Sequence, residues 1–168
     1  MMELQGKRAC VTRHSNHGVQ HPTDAMLSTG PSGVCGQCHP PGSPGDRGAK
    51  EVTRRFESLG LAIAGADSLL SVAETRGMEV GTGRDALREA RDHMTNVRAA
   101  LHSFDLGTIR GVLNDGESGA RKGRELAERA LRDWRGRRIG MALSLGVILM
   151  LIGLLILKIR SIEAKPTG

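Results

Sequence analysis

A chain of 168 residues is long enough for one modest domain with accessories. Aromatic residues make up 2% of it, with one Trp, two Phe and no Tyr, so a core must be built from Leu, Ile, Val, Met and Ala, which favours packed helices over a β-sandwich. The net charge of +6 suits anionic partners such as phospholipid headgroups, no nucleic-acid motif accompanies it, and three cysteines are too few for a disulfide framework.

Residues 1–48 are rich in Gly, Pro, His and Ser, and hold all three cysteines and four of the six histidines. "HPPGSPGDRG", 39–48, reads as a linker by composition, and the region predicts no helix or strand beyond a short turn in "PTDAML", Pro22–Leu27. A segment this irregular buries too little apolar surface to fold alone and needs a cofactor, a metal or a partner.

Residues 49–135 change character. Val52, Phe56, Leu59, Ile63, Ala66, Leu70 and Ala73 recur in steps of four and three, a helical stripe of the coiled-coil kind, with Gly77 as its stop. After "GMEVGTG" a second stripe runs through Leu87, Ala90, Met94, Val97, Leu101 and Phe104. Asp105 is a candidate N-cap for a third helix with a weaker stripe, Ile109, Leu113, Ala120, Ala127, Leu131 and Trp134, thinned by glycines at 111, 116, 119 and 123. The expected fold is mainly α: an antiparallel hairpin with a third helix running back, as a bundle or coiled-coil stalk that also permits helical oligomers.

"IGMALSLGVILMLIGLLIL", Ile139–Leu157, is uncharged and long enough to cross a bilayer once, leaving a short tail at 158–168. The third helix can run straight into it. Arg135, Arg137 and Arg138 precede the run, and Lys158 and Arg160 follow it, so the positive-inside tendency by a small margin puts the N-terminal flank in the cytoplasm. The start, "MMELQGKRAC", has no apolar stretch of the kind a secretory signal carries.

The first region also contains Cys35-Gly-Gln-Cys38-His39, an intact C-x-x-C-H. In c-type haem attachment two thiols add across the two vinyl groups and the adjacent imidazole ligates the iron, so all three must come from one short turn. Upstream, Cys10-Val-Thr-Arg13-His14 repeats the frame with arginine in place of the second cysteine. The same C-x-x-C is also half of a zinc site, for which Cys10, His14, His17 or His21 would supply further ligands. Dithiol exchange is the lesser rival, because no βαβ pattern surrounds the motif.

"ACVTRHSNHGVQHPTDAMLSTGPSGVCGQCH", residues 9–39, resembles the paired-motif segment of bacterial multihaem c-type cytochromes. There C-x-x-C-H-G-N-H is followed by Pro-Thr/Ser-Asp-x-Met/Leu-Leu and then by Gly-Pro-x-x-V-C-x-x-C-H. The later "LHSFD" and a last span flanked by "RGRR" and "LKIR" are similar to the same group. The resemblance implies one covalent haem c on Cys35 and Cys38 with His39 as proximal ligand. It implies a degenerate second site at Cys10 and His14, since Arg13 and Ser15 stand where the pattern has cysteine and glycine. Arg13 could there pair with a propionate. His17 and His102 are the candidate distal iron ligands, with His21 and Met26 behind them, while His93 reads as a surface residue and Met94 as core. The resemblance also implies export, and with it a chain that is the C-terminal part of a larger multihaem protein or has a misplaced start.

The expectation is therefore a single-pass protein of the bacterial inner membrane, its N-terminal part in the periplasm, carrying electrons between the membrane and other redox proteins or cytochrome subunits. It would be an electron carrier and not itself an enzyme, since no nucleophile triad, paired acids or phosphate loop is present. The alternative is a non-redox, membrane-anchored helical scaffold whose Cys/His segment binds zinc or is vestigial.

Overall fold

The computed structural model describes residues 23–30, 33–103 and 105–163, the side chain of His102 excepted. Two 3-10 turns, Asp24–Leu27 and Cys35–Gln37, lead into helix α1 (Pro44–Thr75). Helix α2 (Gly81–Ala100) runs back, and a 3-10 turn, Leu101–Ser103, joins it to α3 (Leu106–Glu163). No strand occurs among the described residues, and the protein is mainly α, as its sequence predicts.

Local chemistry sets the helix ends. The expected linker stops at Ser43, five residues early, because Ser43-Pro-Gly-Asp46 caps a helix. Ser43 Oγ accepts from the Asp46 N–H at 3.2 Å, Pro44 fills the first position, and the Asp46 carboxylate reaches back to the Gly42 N–H at 2.8 Å. At the other end Gly77 takes φ +75°, its N–H donates to Glu74 O at 2.9 Å and the Met78 N–H donates to Ala73 O at 3.1 Å, a glycine stop. Asp105 caps α3 as expected, accepting from the N–H groups of Gly107 and Thr108 at 3.0 and 3.1 Å.

Each residue of the first stripe is buried, and so are Leu87, Ala90 and Val97 of the second and Ile109, Leu113, Ala120, Ala127 and Leu131 of the third. They form two stacked clusters. One holds Phe56, Val97 and Leu113, and the other, beside the α1–α2 turn, holds Leu70, Leu87 and Leu131. The α3 glycines are part of this packing and do not merely interrupt it. A Cβ on Gly119 would lie 3.2 Å from both Ala86 O and Ala90 Cβ, one on Gly116 would lie 2.9 Å from Leu59 Cδ2, and one on Gly123 would lie 2.6 Å from Leu87 Cδ2. Hydrogen at these positions lets α2 and α3 approach almost backbone to backbone. Gly111 meets nothing within 4 Å and has no such role.

Helix α3 is 58 residues long, about 87 Å, and only its first half has bundle partners. From Ile139 to Leu157 its large apolar side chains are exposed. That run is a cylinder about 28 Å long and 10 Å across, roughly 900 Å² of apolar surface. Soluble monomers rarely expose more than about 300–600 Å² in one patch. This half is long and apolar enough to cross a membrane, and it matches the hydrocarbon thickness of about 30 Å. Helix α1 meets the same measure of length and composition, but its apolar side chains make the bundle core.

Candidate functional site

The C-x-x-C-H segment is one tight turn built on the first turns of α1. The N–H groups of Cys38 and His39 both donate to Cys35 O, at 3.2 and 3.0 Å, so Cys35, Cys38 and His39 issue from a single 3-10 loop. Cys35 is half-buried and its thiol donates to Leu27 O at 3.6 Å, while Cys38 and His39 are exposed. The Val34 N–H donates to Met26 O at 3.1 Å, which pairs this turn with the preceding one, Asp24–Leu27. The hydroxyl of the half-buried Thr53, about two and a half turns into α1, donates to the same Leu27 O at 2.9 Å.

Glycines make the close approaches possible. A Cβ on Gly36 would lie 2.7 Å from Thr29 O, and one on Gly33 would run into the Ser28 carbonyl. A Cβ on Gly45 would occupy the place of the His39 ring, whose Cγ, Nδ1 and Cε1 lie closest to it. The imidazole therefore rests on the bare backbone of the first turn of α1, a support that any larger residue at position 45 would remove.

Asp46 locks this junction. It is 2% exposed, and its carboxylate accepts from Lys50 Nζ at 2.9 Å, from the Gly42 N–H and from the Thr29 hydroxyl. The Lys50 hydrogen bond, then the Gly42 N–H, hold its pKa down to about 2. The other tie is Asp24, which takes Arg98 of α2 in a bidentate pair at 2.9 and 3.0 Å, and the Arg98 guanidinium also lies 5.0 Å from the Phe56 ring centroid. The hydrogen bond from Arg98 lowers the Asp24 pKa.

Leu27, Leu101 and Leu106 all lie against the first core cluster, so the C-x-x-C-H segment and the α2–α3 connection share one end of the bundle. His102 stands on that connection. His93, expected at the surface, is half-buried because its Cβ lies beside Gly116 on α3. Met94 is half-buried against the core, as expected, and Met26 is half-buried on its turn. Cys10, Arg13, His14, Ser15, His17 and His21 lie outside the described residues. Among the described residues no three His, Cys, Asp or Glu side chains gather as a metal site would require.

Gly45, Asp46 and Thr53 support the turn without belonging to its motif. Only the capping pair Ser43 and Asp46 had a signal in the sequence, the Ser-x-x-Asp spacing. At the opposite end of the bundle a cleft of about 360 Å³ opens between the α1–α2 turn and α3, lined by Met78, Val80, Thr82, Arg129, Asp133 and Arg137. No protein-family model, curated protein or solved structure matches this chain.

Proposed function

We propose that this chain is a membrane-anchored c-type cytochrome that carries a haem on its N-terminal segment and moves single electrons. Cys35 and Cys38 would hold the macrocycle through two thioethers, and His39 would be the proximal ligand. The observation that carries the reading is the single 3-10 turn presenting two cysteines and an exposed histidine, with the imidazole seated on Gly45. Thioether attachment does not ask the two sulfurs and the imidazole to converge on one point, because the sulfurs bond to separate vinyl carbons and only the histidine meets the iron. The donor set therefore fits the group. Bound there, the haem would supply a one-electron couple, while the chain supplies the anchor, the proximal nitrogen and the spacing from the membrane.

That spacing bears on the choice of partner. The motif is at the start of α1, and the apolar run leaves the bundle beyond the far end of that helix. Helix α1 has 32 residues and is about 48 Å long. A haem at the tip thus exchanges electrons with carriers that reach the tip, not with one dissolved in the bilayer below. On this reading residues Ile139–Leu157 span the inner membrane once and the bundle stands in the periplasm, where c-type haem is attached. The test is mass spectrometry of the protein from cells with a working cytochrome-maturation pathway. One haem adduct on the peptide containing Cys35 and Cys38 is expected, and an unmodified peptide overturns the proposal.

A further inference from the structure

The foot of the bundle has a composition that neither the haem segment nor the core explains. Between positions 129 and 138 lie five arginines and one aspartate, followed directly by the apolar run. The chain's single tryptophan, Trp134, is among them and half-buried. The Arg76 guanidinium, from the α1–α2 turn, lies 4.2 Å from the Trp134 ring centroid, and that of Arg138 lies 5.0 Å from it. Two elements therefore bring charge to one indole. A guanidinium held against a ring face keeps its in-plane N–H donors available, the geometry that takes a phosphate in a bidentate grip.

Charge balance separates this cluster from the arginines that bridge the elements of the bundle. Arg55, Arg84, Arg91, Arg98 and Arg110 are each ion-paired to a carboxylate on another element. Among the described residues no carboxylate pairs with Arg76, Arg129, Arg132, Arg135, Arg137 or Arg138. At about 100° per residue, Arg132, Arg135, Arg137 and Arg138 point to all sides of α3 and not to one face. A docked protein would be met by one face, whereas a headgroup layer surrounds the helix. Height agrees: Trp134 precedes Ile139 by five residues, about 7 Å along the axis, and the headgroup region on each side of a bilayer is about 5–7 Å deep.

We propose that Arg76 and Arg138, held against Trp134, together with Arg132, Arg135 and Arg137 around α3, form a collar that binds the phosphates of anionic phospholipids where the chain enters the membrane. The proposal rests on the reading of Ile139–Leu157 as a membrane span. It is independent of the haem.

The test uses the full chain reconstituted into vesicles of phosphatidylcholine, or of equal parts phosphatidylcholine and phosphatidylglycerol. Flotation with the neutral vesicles after a carbonate wash reports the span. Lipid retained by the chain after gentle detergent extraction of the mixed vesicles reports the collar. Phosphatidylglycerol should be retained in at least about fivefold preference, since each arginine near the surface contributes about that factor. The combined variant Arg135→Gln, Arg137→Gln, Arg138→Gln should bring the preference towards parity, Arg76→Gln should lower it and blue-shift or red-shift the Trp134 emission, and Arg121→Gln, higher on α3, should leave both unchanged. Parity in the parent chain, or a preference that survives in the triple variant, overturns the collar while flotation leaves the span standing. Displacement of the lipid by inorganic phosphate would assign the arginines to the free ion and overturn the lipid reading. A chain that floats with neither vesicle overturns span and collar together.

Discussion

Replacing Gly119 by valine places a branched side chain where α2 and α3 are closest. The Cβ alone would lie 3.2 Å from the Ala86 carbonyl oxygen and 3.2 Å from Ala90 Cβ, inside ordinary van der Waals contact. Neither neighbour can swing aside: one is main chain and the other is a methyl fixed to it, so the helices must separate. Overpacking of this kind costs about 1–3 kcal/mol, against a gain of a few tenths from replacing glycine in a helix. For a bundle of this size each kcal/mol moves the melting midpoint by about 4–8 °C, so a fall of at least about 3 °C is expected. Gly111→Ala is the matched control. It sits in the same helix with nothing within 4 Å, so only the propensity gain of about 1 kcal/mol remains and the midpoint should rise. Far-ultraviolet circular dichroism of the full chain in detergent reads both, because the apolar half of α3 stays helical in the micelle and the melting signal comes from the bundle. A Gly119→Val midpoint equal to or above that of the parent would refute the packing argument.

Two further outcomes follow from the junction around the C-x-x-C-H turn. The Asp46 carboxyl titrates at about 2 in place of 3.8, so the stability it lends is complete above about pH 4 and is lost as the pH falls towards 2. Asp46→Asn should therefore melt lower than the parent at neutral pH and show a smaller further loss between about pH 4 and 2, and an unchanged acid limb would remove Asp46 from the account. Gly45→Ala drives a methyl into the His39 ring, so on the proposed haem reading the covalent adduct should persist while the visible spectrum shifts as His39 ligation weakens; a parent-like spectrum would show that His39 does not depend on that support.

The helices were legible because a period of four and three is itself a statement about burial, and Val52 through Ala73 are buried as that period requires. The stops were legible where one residue type is nearly obligatory, as with Gly77 at φ +75° and the Asp105 cap. The glycines of α3 were not. In a sequence a glycine registers as a missing side chain, and only the neighbouring helix reveals whether the gap is filled. Gly116, Gly119 and Gly123 are filled by α2 or α1 and Gly111 is not, yet all four look alike in one dimension. The start of α1 is hidden in the sequence for a related reason. Pro, Gly and Ser in "HPPGSPGDRG" read as linker by count, while their order, Ser43-Pro44 with Asp46 two positions on, spells a helix start. The C-x-x-C-H motif is legible from its spacing, but its support is not, since Gly45 and Thr53 matter through what lies over them and not through their own chemistry.

As topology signals the arginines at the foot of the bundle oppose the orientation that haem attachment needs, and the proposed collar would remove the conflict. Counted as topology signals, Arg135, Arg137 and Arg138 draw the N-terminal flank towards the cytoplasm. The haem reading needs that flank outside, because the thioethers form there. The conflict assumes that every arginine acts as a mobile positive charge. Arg55, Arg84 and Arg110 do not, because carboxylates on facing helices balance them. Those around Trp134 are paired with no carboxylate among the described residues, and on the proposed reading lipid phosphates would supply their counter-charge. Anionic phospholipid is present in the outer leaflet of a bacterial inner membrane as well as in the inner one, so on the proposed reading the collar neutralises its charge on either side. On the proposed readings the arginine count would then cease to report orientation, and haem attachment at Cys35, Cys38 and His39 would set the side of the membrane.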